Sequence, residues 1–175
     1  LFKSGTVSEI LRFKNKILVC SPSGGLFELK EDNFSKIQMP FKTSTDDEQI
    51  RSACVYDGQL YLATRDGILI SKDTKEFKKT DWSEGISFSG LYGRNDQIVF
   101  SSYTMGVYVK NMKTGKMTHY KGEDLKHTIT GCYIDRSSMI WLNTREGVVR
   151  IDQNGKTSFL DNSNGLPVNR ISCFY

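Results

Sequence analysis

Ile140-Trp141-Leu142-Asn143-Thr144-Arg145-Glu146-Gly147-Val148-Val149-Arg150-Ile151 decides the fold, because it reads as an apolar strand, a short polar turn, a glycine and a second strand. Strands this short, joined by so tight a turn, pair antiparallel. The same phrase occurs three more times upstream. Gly25, Gly67, Gly106 and Gly147 lie 42, 39 and 41 residues apart, and each opens an apolar or alternating segment: Leu26-Phe27-Glu28-Leu29, Ile68-Leu69-Ile70, Val107-Tyr108-Val109 and Val148-Val149-Arg150-Ile151. Before each glycine stands a partner strand, Ile17-Leu18-Val19, Leu60-Tyr61-Leu62, Ile98-Val99-Phe100 or Ile140-Trp141-Leu142, at spacings of 43, 38 and 42. Repetition at this period, carried by short strands, predicts β-propeller blades.

Turn residues divide each unit into four strands. In the last one, Ile129 to Ile134 reads as an inner strand and Asp135-Arg136-Ser137-Ser138 as a turn. Ile140 to Asn143 and Val148 to Asp152 follow, and the Asn154-Gly155 pair marks a hairpin before Thr157 to Leu160. The expected blades span 7–49, 50–85, 86–128 and 129–170, with 171–175 as the first strand of a further blade. Strands of this length cannot bury both faces alone, so stability comes from stacking neighbouring blades. The chain is therefore expected to be all-β: four four-stranded antiparallel blades plus partial strands at both ends, a single segment of a larger propeller. An open array of this kind exposes two blade faces and is expected to self-associate, as a homodimer or otherwise.

Composition fits a soluble fold: 38% of the 175 residues are hydrophobic and 25% charged, and only three prolines interrupt the chain. The one helix-like cluster, 122–126, is too short to matter. No apolar run approaches the roughly 18 residues that a membrane span needs. Cys20, Cys54, Cys132 and Cys173 form no close pair, which argues against a zinc knuckle or a redox dithiol and for buried single thiols.

The run from Ile134 through Trp141, Thr144, Gly147 and Asp152, followed by Asn164-Gly165-Leu166-Pro167-Val168-Asn169, resembles the two-component regulator propeller repeat. That repeat joins an Asp-containing turn to Ile/Leu-Trp-Ile/Leu-Gly-Thr, then a glycine before an apolar strand, and closes on Gly-Leu-Pro-x-Asn. Asn143 stands where the repeat usually has glycine. Tyr61-Leu62-Ala63-Thr64-Arg65-Asp66-Gly67 is a partial second match, and the units beginning at Val7 and Ile86 match only in skeleton. The resemblance implies the periplasmic sensor region of a membrane-anchored bacterial regulator, many such regulators being hybrid histidine kinases that respond to oligosaccharides. It implies a kinase parent, contact with the membrane only through that parent, and no catalysis by this segment.

The residues permit that reading. No nucleophile elbow, zinc-binding helix or phosphate-cradling loop is present, and His119 and His127 are the only histidines. No catalytic residue, metal ligand or cofactor is therefore assigned. Net charge is +4, with Lys72, Lys75, Lys78 and Lys79 on one outer hairpin and Lys110, Lys113 and Lys116 on the next. Such lysines blunt sheet edges, and an anionic partner such as an acidic glycan is the alternative use. Nucleic acid is disfavoured, because acidic residues are interspersed and no aromatic platform accompanies the lysines.

Saccharide sites pair aromatic faces with planar hydrogen-bonding groups. The turns between second and third strands offer Arg65, Tyr103, Arg145 and Glu146, and the blade-joining loops at the same end add Trp82 and Asn169. These six are the candidate ligand-binding residues, for an oligosaccharide or another small ligand. A scaffold for protein partners is the competing class, and a propeller lyase or hydrolase a third.

Overall fold

The computed structural model describes residues 6–39, 49–65, 67–83 and 85–168. Their strands form four antiparallel meanders. The first sheet is β1 (Glu9–Phe13), β2 (Lys16–Ser21), β3 (Gly25–Lys30) and β4 (Asn33–Ile37), and the second β5 (Ile50–Tyr56), β6 (Gln59–Thr64), β7 (Gly67–Ser71) and β8 (Lys78–Lys79). The third is β9 (Phe88–Arg94), β10 (Gln97–Ser102), β11 (Gly106–Asn111) and β12 (Met117–Tyr120), and the fourth β13 (Ile129–Ile134), β14 (Ile140–Thr144), β15 (Val148–Ile151) and β16 (Thr157–Leu160). Within each sheet the strands follow chain order, as in a propeller blade. Among the described residues the one helical element is a single 3-10 turn, Glu123–Leu125. The terminal part-strands expected from the sequence, and Asn169, lie outside the described residues.

The chain forms two compact units, Leu1–Phe88 and Ser89–Tyr175. In the first, the period-2 alternation of β1 and β2 places Leu11, Phe13, Leu18 and Cys20 on one face of their sheet. These pack against Ala53, Leu60, Leu62 and Leu69 of the second sheet in one apolar cluster. Full burial of each leucine contributes about 1.5–3 kcal/mol, so the joint between sheets supplies the cohesion that no single meander has. Polar ties border it: Ser8 Oγ donates to the Ile50 carbonyl at 2.8 Å, Ser52 Oγ to Glu9 Oε1 at 3.2 Å and Lys16 Nζ to Thr74 Oγ1 at 2.9 Å.

The second unit repeats the plan with different side chains. Val99, Val107 and Val109 of the third sheet pack against Ile140, Leu142, Val149 and Ile151 of the fourth. Here β9 and β13 approach so closely that a Cβ on Gly90 would stand 2.8 Å from the Cys132 backbone nitrogen, which makes a side chain there untenable. Arg94 Nη1 donates to both Tyr133 OH and the Ile134 carbonyl at 3.2 Å. Of the cysteines, Cys20 and Cys54 are buried and Cys132 half-buried, all as free thiols. Trp141 is half-buried, and its Nε1 donates to Asp135 Oδ2 at 2.8 Å.

Candidate ligand-binding site on the turn face

One hydroxyl recurs at the end of every second strand. Ser21, Thr64, Ser102 and Thr144 are all buried there, immediately before the β2–β3, β6–β7, β10–β11 and β14–β15 turns. Thr144 Oγ1 donates to the Gly147 carbonyl at 2.9 Å and accepts from the backbone nitrogens of Glu146 (3.2 Å) and Gly147 (3.0 Å). Thr64 Oγ1 donates to the Gly67 carbonyl at 2.8 Å. Ser102 and Ser21 accept from the backbone nitrogens of Met105 and Ser23, at 3.4 and 3.3 Å. Each is a side-chain-stabilised turn, which fixes the chain direction and pushes the next residues into solvent.

Those next residues are the candidates. Arg65, Arg145 and Glu146 are exposed and Tyr103 half-exposed, each in the turn that its hydroxyl braces. Arg65 and Trp82 belong to the first unit. Trp82 sits half-buried in the β8–β9 connection, whose Ser83 Oγ accepts from the Ile68 backbone nitrogen at 2.8 Å and bonds to Thr80 Oγ1. That contact holds the connection at the same end of the sheet as the β6–β7 turn.

Tyr103, Arg145 and Glu146 belong to the second unit. The β12–β13 connection is tied to the β14–β15 turn by His127 Nδ1, 3.3 Å from Glu146 Oε2, while the His127 ring stacks on Phe159 at a centroid distance of 4.7 Å. Glu146 is therefore partly committed to an internal partner, whereas Arg145 projects from the same turn into solvent. Asn164, in the segment after β16, donates through Nδ2 to the Phe159 carbonyl at 3.1 Å. The inner strands also deform at this end. Register shifts between Ile50 and Ser52 and between Ile129 and Gly131, leaving Arg51 and Thr130 as extra, exposed residues beside the turns.

Sequence reasoning missed the His127–Glu146–Phe159 group, because its members are distant in the chain. It also missed a cavity of about 400 Å³ between the β10–β11 turn and the β12–β13 connection. One wall is His119, whose Nε2 lies 2.6 Å from the Met105 carbonyl and whose ring stacks on Tyr108 at 3.9 Å. The opposite end of each sheet has different chemistry. There Asp73, Asn111 and Asp152 each accept two backbone N–H bonds from the following turn, at 2.8–3.2 Å, and so close the outer hairpins locally. Among the described residues no group of three or more His, Cys, Asp or Glu side chains is arranged to hold a metal ion.

No protein-family model matches the chain, and a search of curated proteins finds no match. Solved structures do match. Two structures of an extracellular domain from B. thetaiotaomicron, attributed in one to a one-component and in the other to a hybrid two-component system, superpose with TM-score 0.77. The identities are 19% and 18%, and each match covers 98% of this chain and 23% of the other. Virginiamycin B lyase from Staphylococcus aureus superposes with TM-score 0.66 at 15% identity, over 87% of this chain and 54% of the other. Together with the four ordered meanders, these likenesses make the chain a stretch of β-propeller. It spans about a quarter of the length of the extracellular domains that it matches.

Proposed function

We propose that this chain is part of the extracytoplasmic, periplasmic ligand-sensing region of a bacterial hybrid two-component sensor, and that it recognises an oligosaccharide through turns between the second and third strands of its sheets. The observation that carries the reading is the match of nearly the whole chain to extracellular domains of that attribution, at TM-score 0.77. The turn face supports it independently. Braced turns there present guanidinium groups, a phenol and a carboxylate to solvent, the donor and acceptor set that sugar hydroxyls need.

Among the described residues no helix is long and apolar enough to cross a membrane. In this reading anchorage and kinase activity belong to other parts of a parent protein. The segment itself binds and does not catalyse. Signalling then requires the ligand to favour one arrangement of two protomers over another, and a differential of about 1–3 kcal/mol suffices for a modest response. Calorimetric titration of the protein against a panel of plant and host oligosaccharides tests the proposal. Saturable heat with at least one glycan is expected, and uniform silence contradicts it.

A further inference from the structure

The cavity beside β12 has a composition of its own. Its volume, about 400 Å³, lies within the roughly 300–1,000 Å³ typical of small-molecule sites. Its accessible apolar part is Met105, which is 45% exposed, and Leu125 behind it belongs to the buried core. Its polar part is Thr104, His119, Lys121 and Lys126. Among the described residues no carboxylate or carboxamide side chain lines it, although a neutral sugar, whose hydroxyls both donate and accept, is normally met by such groups.

The two ammonium groups differ. Lys126 Nζ is 2.5 Å from Glu123 Oε2, so its charge is largely answered. Lys121 is exposed and makes no ion pair among the described residues. The wall is preformed, since His119 is held between the Met105 carbonyl and the Tyr108 ring, and little ordering is required on binding.

We infer that this cavity is a subsite for an anionic saccharide residue, a uronate or a sulfated sugar, seated with its C–H face on Met105 and its charge against Lys121. The inference rests on the saccharide-sensing reading above and names the ligand class. A free inorganic anion would use Lys121 but not the apolar floor. A neutral sugar would use the floor but leave Lys121 without an anion.

The test is calorimetric titration of the full 175-residue chain at low salt with trigalacturonate, cellotriose and sodium sulfate, repeated on Lys121→Gln. Trigalacturonate is expected to bind more tightly than either other probe, and to weaken about tenfold or more in Lys121→Gln, the scale of one charge-assisted hydrogen bond. Silence with trigalacturonate overturns the inference, as does affinity unchanged in Lys121→Gln or sulfate binding equally well. The cellotriose arm separates the two claims: binding of cellotriose with trigalacturonate silent overturns the anionic subsite and leaves oligosaccharide sensing standing. Lys121 is exposed, so its replacement leaves the fold intact, which circular dichroism verifies.

Discussion

Gly147 lies so close beneath Leu160 that a Cβ built on it would come within 2.2 Å of the Leu160 carbonyl oxygen. The atom in the way is backbone held by the β15–β16 ladder, in which Val148 pairs with Leu160, so it cannot swing aside. This is why a glycine opens the third strand of the fourth sheet. Gly106 is in the same position beneath Tyr120, at 2.4 Å, and also has φ +85°.

Gly147→Ala is therefore expected to destabilise the protein by at least the 1–3 kcal/mol of ordinary overpacking. Gly58→Ala is the control, since Gly58 has φ +67° but open space around it, the reverse of the crowding at Gly147. Its cost should be limited to about 1–2 kcal/mol of backbone strain. Urea denaturation of both variants checks the order, and equal losses would show that the β15–β16 contact is not as tight as described.

Asp135 gives a pH dependence. Burial pushes its carboxyl pKa up, but bonds from Trp141 Nε1 and the backbone nitrogens of Met139 and Ser137, with the Arg94 charge, outweigh this and hold it below the usual aspartate range. A carboxyl depressed in the folded state stabilises the fold above its unfolded pKa, and that stability is lost as pH falls through the folded value. Denaturation midpoints should therefore fall below about pH 4, the ordinary aspartate value, and Asp135→Asn should flatten that part of the decline. Trp141→Phe, which removes one of the bonds, is expected to cost about 1 kcal/mol at neutral pH. Asp161 and Glu123 are also depressed, so the decline should not vanish in Asp135→Asn alone.

Thiol chemistry should distinguish the cysteines. Burial, with the Glu9 carboxylate nearby, pushes the Cys20 thiol up to about 12, which leaves almost no thiolate at pH 8. Alkylation by iodoacetamide under native conditions is expected to spare Cys20 and to modify the half-buried Cys132 ahead of it, as mass spectrometry of digests would show. Prompt modification of Cys20 would mean that the joint between the first two sheets opens readily.

The first sheet shows an apolar outer face. Register aligns Ile17 with Leu29 and Leu29 with Phe34, and Ile10 lies on the same side, with Ile10, Ile17 and Phe34 exposed by 67%, 41% and 44%. The isolated chain is expected to self-associate with rising concentration, and Ile17→Lys to shift it toward monomer. Sedimentation velocity reads both, and a monomer at all concentrations would remove this face as a contact.

The fold was legible because its signals are local and repeated. The approximately forty-residue period, the Asn154-Gly155 hairpin and the glycine before each third strand all act within one sheet, and four four-stranded antiparallel sheets formed as they predict. The hydroxyl at the end of each second strand was equally visible in Ser21, Thr64, Ser102 and Thr144, although its bracing role emerges only from the hydrogen bonds. What could not be read were pairings set by tertiary approach. The clasp of His127 on Glu146 spans nineteen residues, and the cavity at His119 depends on how one connection folds over one turn. Asn143 is a sharper case. It stands where the resembling repeat has glycine, and the structure buries it at 6% exposure with its Oδ1 lacking a hydrogen-bond partner, which no sequence pattern foretells.

Hydrogen–deuterium exchange with and without a bound oligosaccharide tests the central claim most directly, because the claim is that turns between second and third strands meet the ligand. Protection is predicted within the second unit, at the turns bearing Tyr103 and Arg145 and at the 121–128 connection, with the hairpins at 95–96 and 153–155 unchanged. Protection confined to those opposite hairpins would contradict it.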